Sequence, residues 1–249
     1  MTTNRQTAGA DRTSSPEGRQ RSASRNAVPA ANAHPAAGRP TAARQAPGPR
    51  IPEIDRIIFF SDAVFAIALT LLVIRIEVPA GPDYAHHVLA QWPKYLSYVI
   101  SFAAVGLYWM GHHRIFRYIV RWDERLIALN LLLLLFIAFM PFPAAMIGEH
   151  GGYRISLIFY AATLGCAGLA NLLIWVYATH HRRLVDADLD ETVIRRHVRR
   201  GMVAPLVFFV SIPLSFVSMD AAYYSWLLIA VALLVLRRLE RKDARARVR

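Results

Sequence analysis

A chain of 249 residues that is 55% hydrophobic and 18% charged is too apolar for an ordinary soluble domain, which makes the lipid bilayer its expected solvent. A formal charge of +12 would suit nucleic acid, but the basic residues sit between the apolar runs, where they set membrane topology instead. The single cysteine, Cys166, excludes an intrachain disulfide and a cysteine-rich metal site.

Residues 1–50 are rich in Ala, Arg, Ser, Pro and Gly and nearly free of large apolar side chains, so they are expected to be a disordered cytoplasmic tail. Nothing before Ile51 supplies the apolar core of a secretory signal. An Arg-rich, acid-poor tail also suits an organellar transit peptide or an Arg-biased bacterial proteome.

Six segments approach the roughly 20 apolar residues that a membrane-spanning helix needs. They are Ile54 to Val78, Trp92 to His112, Arg125 to Ile147, Tyr153 to Thr179, Met202 to Met219 and Ala221 to Leu239. The expected class is therefore an all-α membrane protein with a six-helix domain over residues 51–240 and a basic tail over 241–249. Of the 29 Lys and Arg residues, all but Arg75, Lys94 and Arg154 fall on one side of this arrangement, which places both termini in the cytoplasm.

The first segment carries the most information, because Ser61 and Asp62 lie within an apolar helix and an intramembrane carboxylate is costly unless it is paired or wet. Rotation of about 100° per residue gathers Phe60, Ala63, Ile67, Thr70, Leu71 and Ile74 on one face and turns Asp62 about 140° away from Ile67. Around a symmetry axis, that face would form a narrow apolar constriction with a hydroxyl layer at Thr70, of the kind that gates by dewetting. The same stripe also suits ordinary helix packing or lipid contact. Depth proposes partners on the other side: Ser61, Asp62, one of His112 and His113, and Asn130 lie at matching levels and are expected to form a hydrogen-bonded cluster. Its expected role is to hold the pore helix; an Asp and His pair also suits a proton relay.

Further along, Asp186, Asp188, Asp190 and Glu191 form a solvated face on a short helical extension, since the glycine and glutamate spacing of a calcium loop are missing. His86-His87 and His180-His181 lack the third ligand of a metal site. Pro141, Pro143, Pro205 and Pro213 are expected to break or kink their helices. No nucleophile, phosphate-loop or metalloprotease signature is present, so no enzyme activity and no cofactor are expected. No Thr-Val-Gly-Tyr-Gly loop is present either, which removes the carbonyl-ring filter as a route to selectivity.

Arg56 followed by Phe60-Ser61-Asp62, then Val-Phe-Ala-Ile-Ala-Leu-Thr-Leu-Leu-Val-Ile and Pro79, resembles the first-helix signature of the transmembrane protein 175 family of lysosomal potassium channels and their bacterial relatives. The resemblance continues through Tyr108-Trp109, His112-His113-Arg114, Asn130 and Pro141-Phe142. It implies that Ile67, Leu71 and Ile74 form the hydrophobic constriction, that Thr70 serves potassium selectivity, and that Phe60-Ser61-Asp62 is a structural motif. A single six-helix repeat implies a homotetramer in a bacterial cytoplasmic membrane, with potassium as permeant ion and no nucleic-acid partner. Arg75 departs from the pattern, which continues there with an apolar or acidic residue. Two functions remain open: a passive potassium-preferring channel lined by the first helix of each subunit, and a proton- or sodium-coupled transporter using Asp62.

Overall fold

The structure is a computed structural model that describes residues 52–246, with side chains described to residue 240. The tail over residues 1–50 lies outside the described residues. The order of helices is α1 (Pro52–Ile74), α2 (Tyr84–Ala90), α3 (Trp92–Phe116), α4 (Glu124–Phe139), α5 (Pro141–His150), α6 (Arg154–Thr179), α7 (Glu191–Leu214), α8 (Met219–Ser225) and α9 (Leu227–Ala246). Among the described residues, five helical stretches are long and apolar enough to cross a membrane: Pro52–Ile74, Glu124–His150, Arg154–Arg182, Glu191–Leu214 and Met219–Glu240. At 25 residues α3 has the length, but its tyrosines, serines and paired histidines keep it outside that group.

Local chemistry explains most boundaries. Helix α1 opens on Pro52, whose missing N–H costs nothing in a first turn, and Glu53 and Asp55 there complement the helix dipole. The segment from Arg125 to Ile147 breaks at its prolines as expected, into α4 and α5, because Pro141 opens α5 immediately after Met140 and cannot donate the amide that would continue α4. The fifth segment starts at Glu191 rather than Met202, since Asp190 accepts the Thr192 amide at 2.8 Å and launches the helix eleven residues early. The second half of the acidic run is thereby absorbed: Asp190 is a cap, and Glu191 pairs with Arg195 at 3.5 Å and Arg182 at 3.9 Å, while Asp186 and Asp188 lie exposed in the turn before α7. The last segment divides at Trp226, whose indole donates to Ser211 Oγ at 3.0 Å, and α9 continues into the stretch expected as a basic tail.

Helix α6 is the centre of the bundle. It packs against α4, α5 and α7, while α1 packs against α3, α4 and α5, and α9 touches only α7 and α8 among its main neighbours. Small residues on α6 allow close approach. A Cβ on Gly168 would lie 2.8 Å from the Pro205 ring and 2.8 Å from the Tyr108 hydroxyl. Neither neighbour yields easily, because the ring is rigid and the hydroxyl is fixed by its 2.6 Å bond to the Leu164 carbonyl. Gly168→Ala is therefore expected to cost about 1–3 kcal/mol by overpacking, read as a lower melting temperature of the detergent-solubilised protein.

At the Arg-rich end of the bundle, the segments after α3 and α6 meet in a short antiparallel bridge between Ile119 and Val185. Asp123 ties this region together: its carboxylate caps α4 through the Leu126 amide at 2.9 Å, accepts the Tyr177 hydroxyl at 2.5 Å and lies 3.5 Å from Arg183 Nε. Partial burial alone would raise this carboxyl's pKa, but the bonds from Tyr177 and Leu126, with Arg183 and Arg125 nearby, outweigh it and hold the group below its ordinary value. A depressed folded pKa stabilises the fold at neutral pH, and that contribution is lost as pH falls through the folded value. Asp123→Ala is expected to lose about 0.5–2 kcal/mol for the cap at neutral pH and to show a weaker acid dependence, measured by melting curves across the acid range.

Candidate functional site

The site is built on α1, whose two sides differ. Ile54, Ser61, Phe65, Ala68 and Leu72 are buried and follow a helical stripe against α3, α4 and α5. The opposite side is bare. Phe60 is 54% exposed, Ile67 59%, Leu71 39% and Ile74 69%, with Ala63 and Thr70 exposed between them. The bare arc is wider than the stripe expected from rotation and also takes in Phe59, Ala66 and Val73. Thr70 donates its hydroxyl hydrogen to the Ile67 carbonyl at 2.8 Å, so its oxygen keeps acceptor capacity on a side that no helix among the described residues covers.

A directional chain of hydrogen bonds fixes the rotation of α1. Ser61 Oγ donates to the Ile57 carbonyl at 2.8 Å and accepts from Asn130 Nδ2 at 2.9 Å, and Asn130 Oδ1 lies 3.0 Å from His112 Nε2. With the Asn130 amide donating to serine, its oxygen must accept, so His112 Nε2 carries the hydrogen. All three side chains are buried, and the imidazole is walled by Phe65 and Phe116 at centroid distances of 5.7 and 4.2 Å. Its Nδ1 is buried and has no hydrogen-bond partner. Three helices are thereby linked at one depth.

The structure corrects the expected four-member cluster at one position. Asp62 is outside it and accepts instead from the indole of Trp109 at 2.8 Å. The reason is rotational: Ser61 and Asp62 are adjacent, about 100° apart, so the buried serine that meets Asn130 turns the aspartate toward the edge of α3. Trp109 precedes His112 by three residues and shares its face, which was the available signal for this partner. His113 is exposed, with its ring tilted against Trp109 at a centroid distance of 5.7 Å. Arg56 is exposed near the start of α1, and Arg75 is exposed just past its end. Among the described residues, no group of three or more His, Cys, Asp or Glu side chains is placed to hold a metal ion.

Comparison with known proteins places this geometry. Residues 56–141, from Arg56 through the whole polar network to Pro141, match the family described as endosomal/lysosomal potassium channel TMEM175. The chain is 37% identical over 173 residues to a potassium channel of Streptomyces collinus, covering 67% of this chain and 84% of that one. It is 34% identical over 178 residues to a potassium channel of Chamaesiphon minutus, covering 68% and 88%. The crystal structure of a lysosomal potassium-selective channel TMEM175 homologue from Chamaesiphon minutus superposes with a TM-score of 0.65 at 30% identity, over 74% of this chain and 98% of that one. With most of a relative's length covered at that identity, the chain belongs to the TMEM175 family of ion channels.

Proposed function

We propose that the protein is a potassium-preferring channel that conducts passively, with α1 of each subunit lining the pore. The observation that carries this reading is the anchoring of α1. Ser61, Asn130, His112 and the Asp62–Trp109 bond hold one side of the helix, which turns Ile67, Thr70, Leu71 and Ile74 away from the subunit's own bundle. Four copies around an axis would bring these stripes together: Ile67, Leu71 and Ile74 form an apolar constriction, and Thr70 contributes a ring of hydroxyl oxygens between them. An apolar ring holds water weakly and therefore sets a barrier to a hydrated cation, while oxygen ligands at Thr70 repay part of its dehydration. In this reading α3 is the second of six membrane crossings. In the same reading both termini are cytoplasmic, which the distribution of Lys and Arg supports, in the cytoplasmic membrane of a bacterium.

The coupled-transporter alternative rests on Asp62, and one substitution separates the two. In Asp62→Asn the side-chain oxygen can still accept from the Trp109 indole, so the anchor is retained while the charge is removed. Purified protein in liposomes, with a potassium gradient and no proton or sodium gradient, is expected to conduct as wild type and to keep conducting as Asp62→Asn. Flux that needs a second ion's gradient, or that vanishes with the charge, would establish the transporter.

A further inference from the structure

Beyond the pore, we propose that a basic cavity among α3, α7 and α9 is a binding site for a phosphate-bearing anion. The cavity has a volume of about 590 Å³, within the roughly 300–1,000 Å³ of small-molecule sites. Arg114 and Arg117 come from the end of α3, Arg196 and Arg200 from the first turns of α7, and Arg237 with Glu240 from α9. Glu240 is buried and, among the described residues, is the one acidic side chain on this wall; it pairs with Arg200 and lies 3.5 Å from Arg196 Nε. Five guanidinium groups against one carboxylate leave the cavity strongly positive.

The geometry points to a ligand rather than to a finished salt-bridge network. Among the described residues, Arg200 Nε and Glu240 Oε1 are buried without a hydrogen-bond partner, and Arg196 Nε has only its 3.5 Å ion pair with Glu240 in place of a well-aligned bond. A buried N–H donor left unmade costs about 1–3 kcal/mol, and a guanidinium edge pairs best with the paired oxygens of a phosphate or carboxylate. Residues 241–249 carry five basic residues and one acidic residue, so the adjoining stretch of sequence is a poor source of the anion. Phosphate is favoured over carboxylate because several guanidinium groups from three helices converge, which suits an anion of more than one charge or several acceptor oxygens. Basic pockets between membrane helices, near where they leave the bilayer, take phosphorylated headgroups in this way. The chemistry is shared by two sources, an anionic phospholipid headgroup and a soluble di- or polyphosphate.

The test is a melting titration of full-length protein in uncharged detergent, followed by tryptophan fluorescence, with dioleoylphosphatidylglycerol, sodium pyrophosphate and, as zwitterionic control, dioleoylphosphatidylcholine. A saturable rise in melting temperature with phosphatidylglycerol but not pyrophosphate assigns a lipid; the reverse assigns a soluble phosphate; a rise with both assigns the site to phosphate in either form. Arg114→Gln is expected to weaken half-saturation by about tenfold, and Arg196→Gln with Arg200→Gln by more, since each charged hydrogen bond is worth about a decade of affinity. Arg195→Gln, whose partner is Glu191 outside the cavity, is expected to leave it unchanged. Glu240→Gln is expected to tighten binding, a gain that misfolding cannot imitate. No rise with either phosphate probe, an equal rise with phosphatidylcholine, or equal weakening in Arg195→Gln would each overturn the site.

Discussion

Ile67→Asn is expected to raise cation flux by on the order of tenfold and to reduce the preference for potassium over sodium. The residue sits in the middle of the bare stripe, 59% exposed in the single chain, and is not among the side chains packed against the buried core. In a fourfold arrangement the substitution replaces an apolar ring by four amides. A tenfold rate change needs about 1.4 kcal/mol off the barrier, less than the roughly 1.5–3 kcal/mol of a single hydrogen bond to a charged group. Four amide dipoles therefore suffice even if each engages the ion weakly. Selectivity falls because a wetted ring no longer requires the ion to shed water before reaching Thr70. The check is flux into liposomes under potassium and sodium gradients in turn, at matched protein content. Unchanged flux in a protein that melts as wild type would place Ile67 against lipid.

Asn130→Leu is expected to act on the same pore from the opposite side of α1. The substitution keeps volume but removes the amide that both donates to Ser61 and accepts from His112. Hydrogen bonds between membrane helices average about 0.6 kcal/mol and reach about 1.7, so losing both is expected to cost about 1–3 kcal/mol, seen as a lower melting temperature. The functional effect should exceed the loss of stability, because Ser61 retains its bond to Ile57 while α1 loses the contact that sets its rotation against α4. A helix free to rotate by even a fraction of the 100° between residues no longer presents one stripe to the axis. Reduced, heterogeneous conductance in protein that remains folded is the expected outcome. Wild-type conductance would show that packing of Phe65, Ala68 and Leu72 orients α1 unaided.

The helical class was legible because long apolar runs bounded by basic loops admit few structures. Helix boundaries were less so. Hydropathy ends where polar residues begin, but the mostly polar stretch from Glu191 to Arg200, expected as a separate short helical extension, is continuous with the fifth helix, held by the Asp190 cap and by ion pairs. The break at Met140 was visible in Pro141 and Pro143, since proline chemistry is local. Within the site, depth along the helices brought Ser61, His112 and Asn130 together correctly. Depth alone could not assign Asp62, whose partner is decided by rotation about α1. The basic cavity was hidden because its arginines come from three helices distant in the chain and read, singly, as topology signals. Glu240 on α9 pairs with two of them, Arg196 and Arg200 of α7, and so draws α9 onto that wall.

The most direct measurement is thiol block of single substitutions in a Cys166→Ser background. Leu71→Cys places a thiol on the stripe assigned to the pore, and Val231→Cys places one on α9, where Val231 is 55% exposed and α9 packs mainly against α7 and α8. With both variants conducting potassium in lipid bilayers, silver ions are expected to abolish current through Leu71→Cys and leave current through Val231→Cys intact. Sensitivity confined to Val231→Cys, or current that persists through Leu71→Cys after its thiol has been shown to react, would contradict a pore lined by α1.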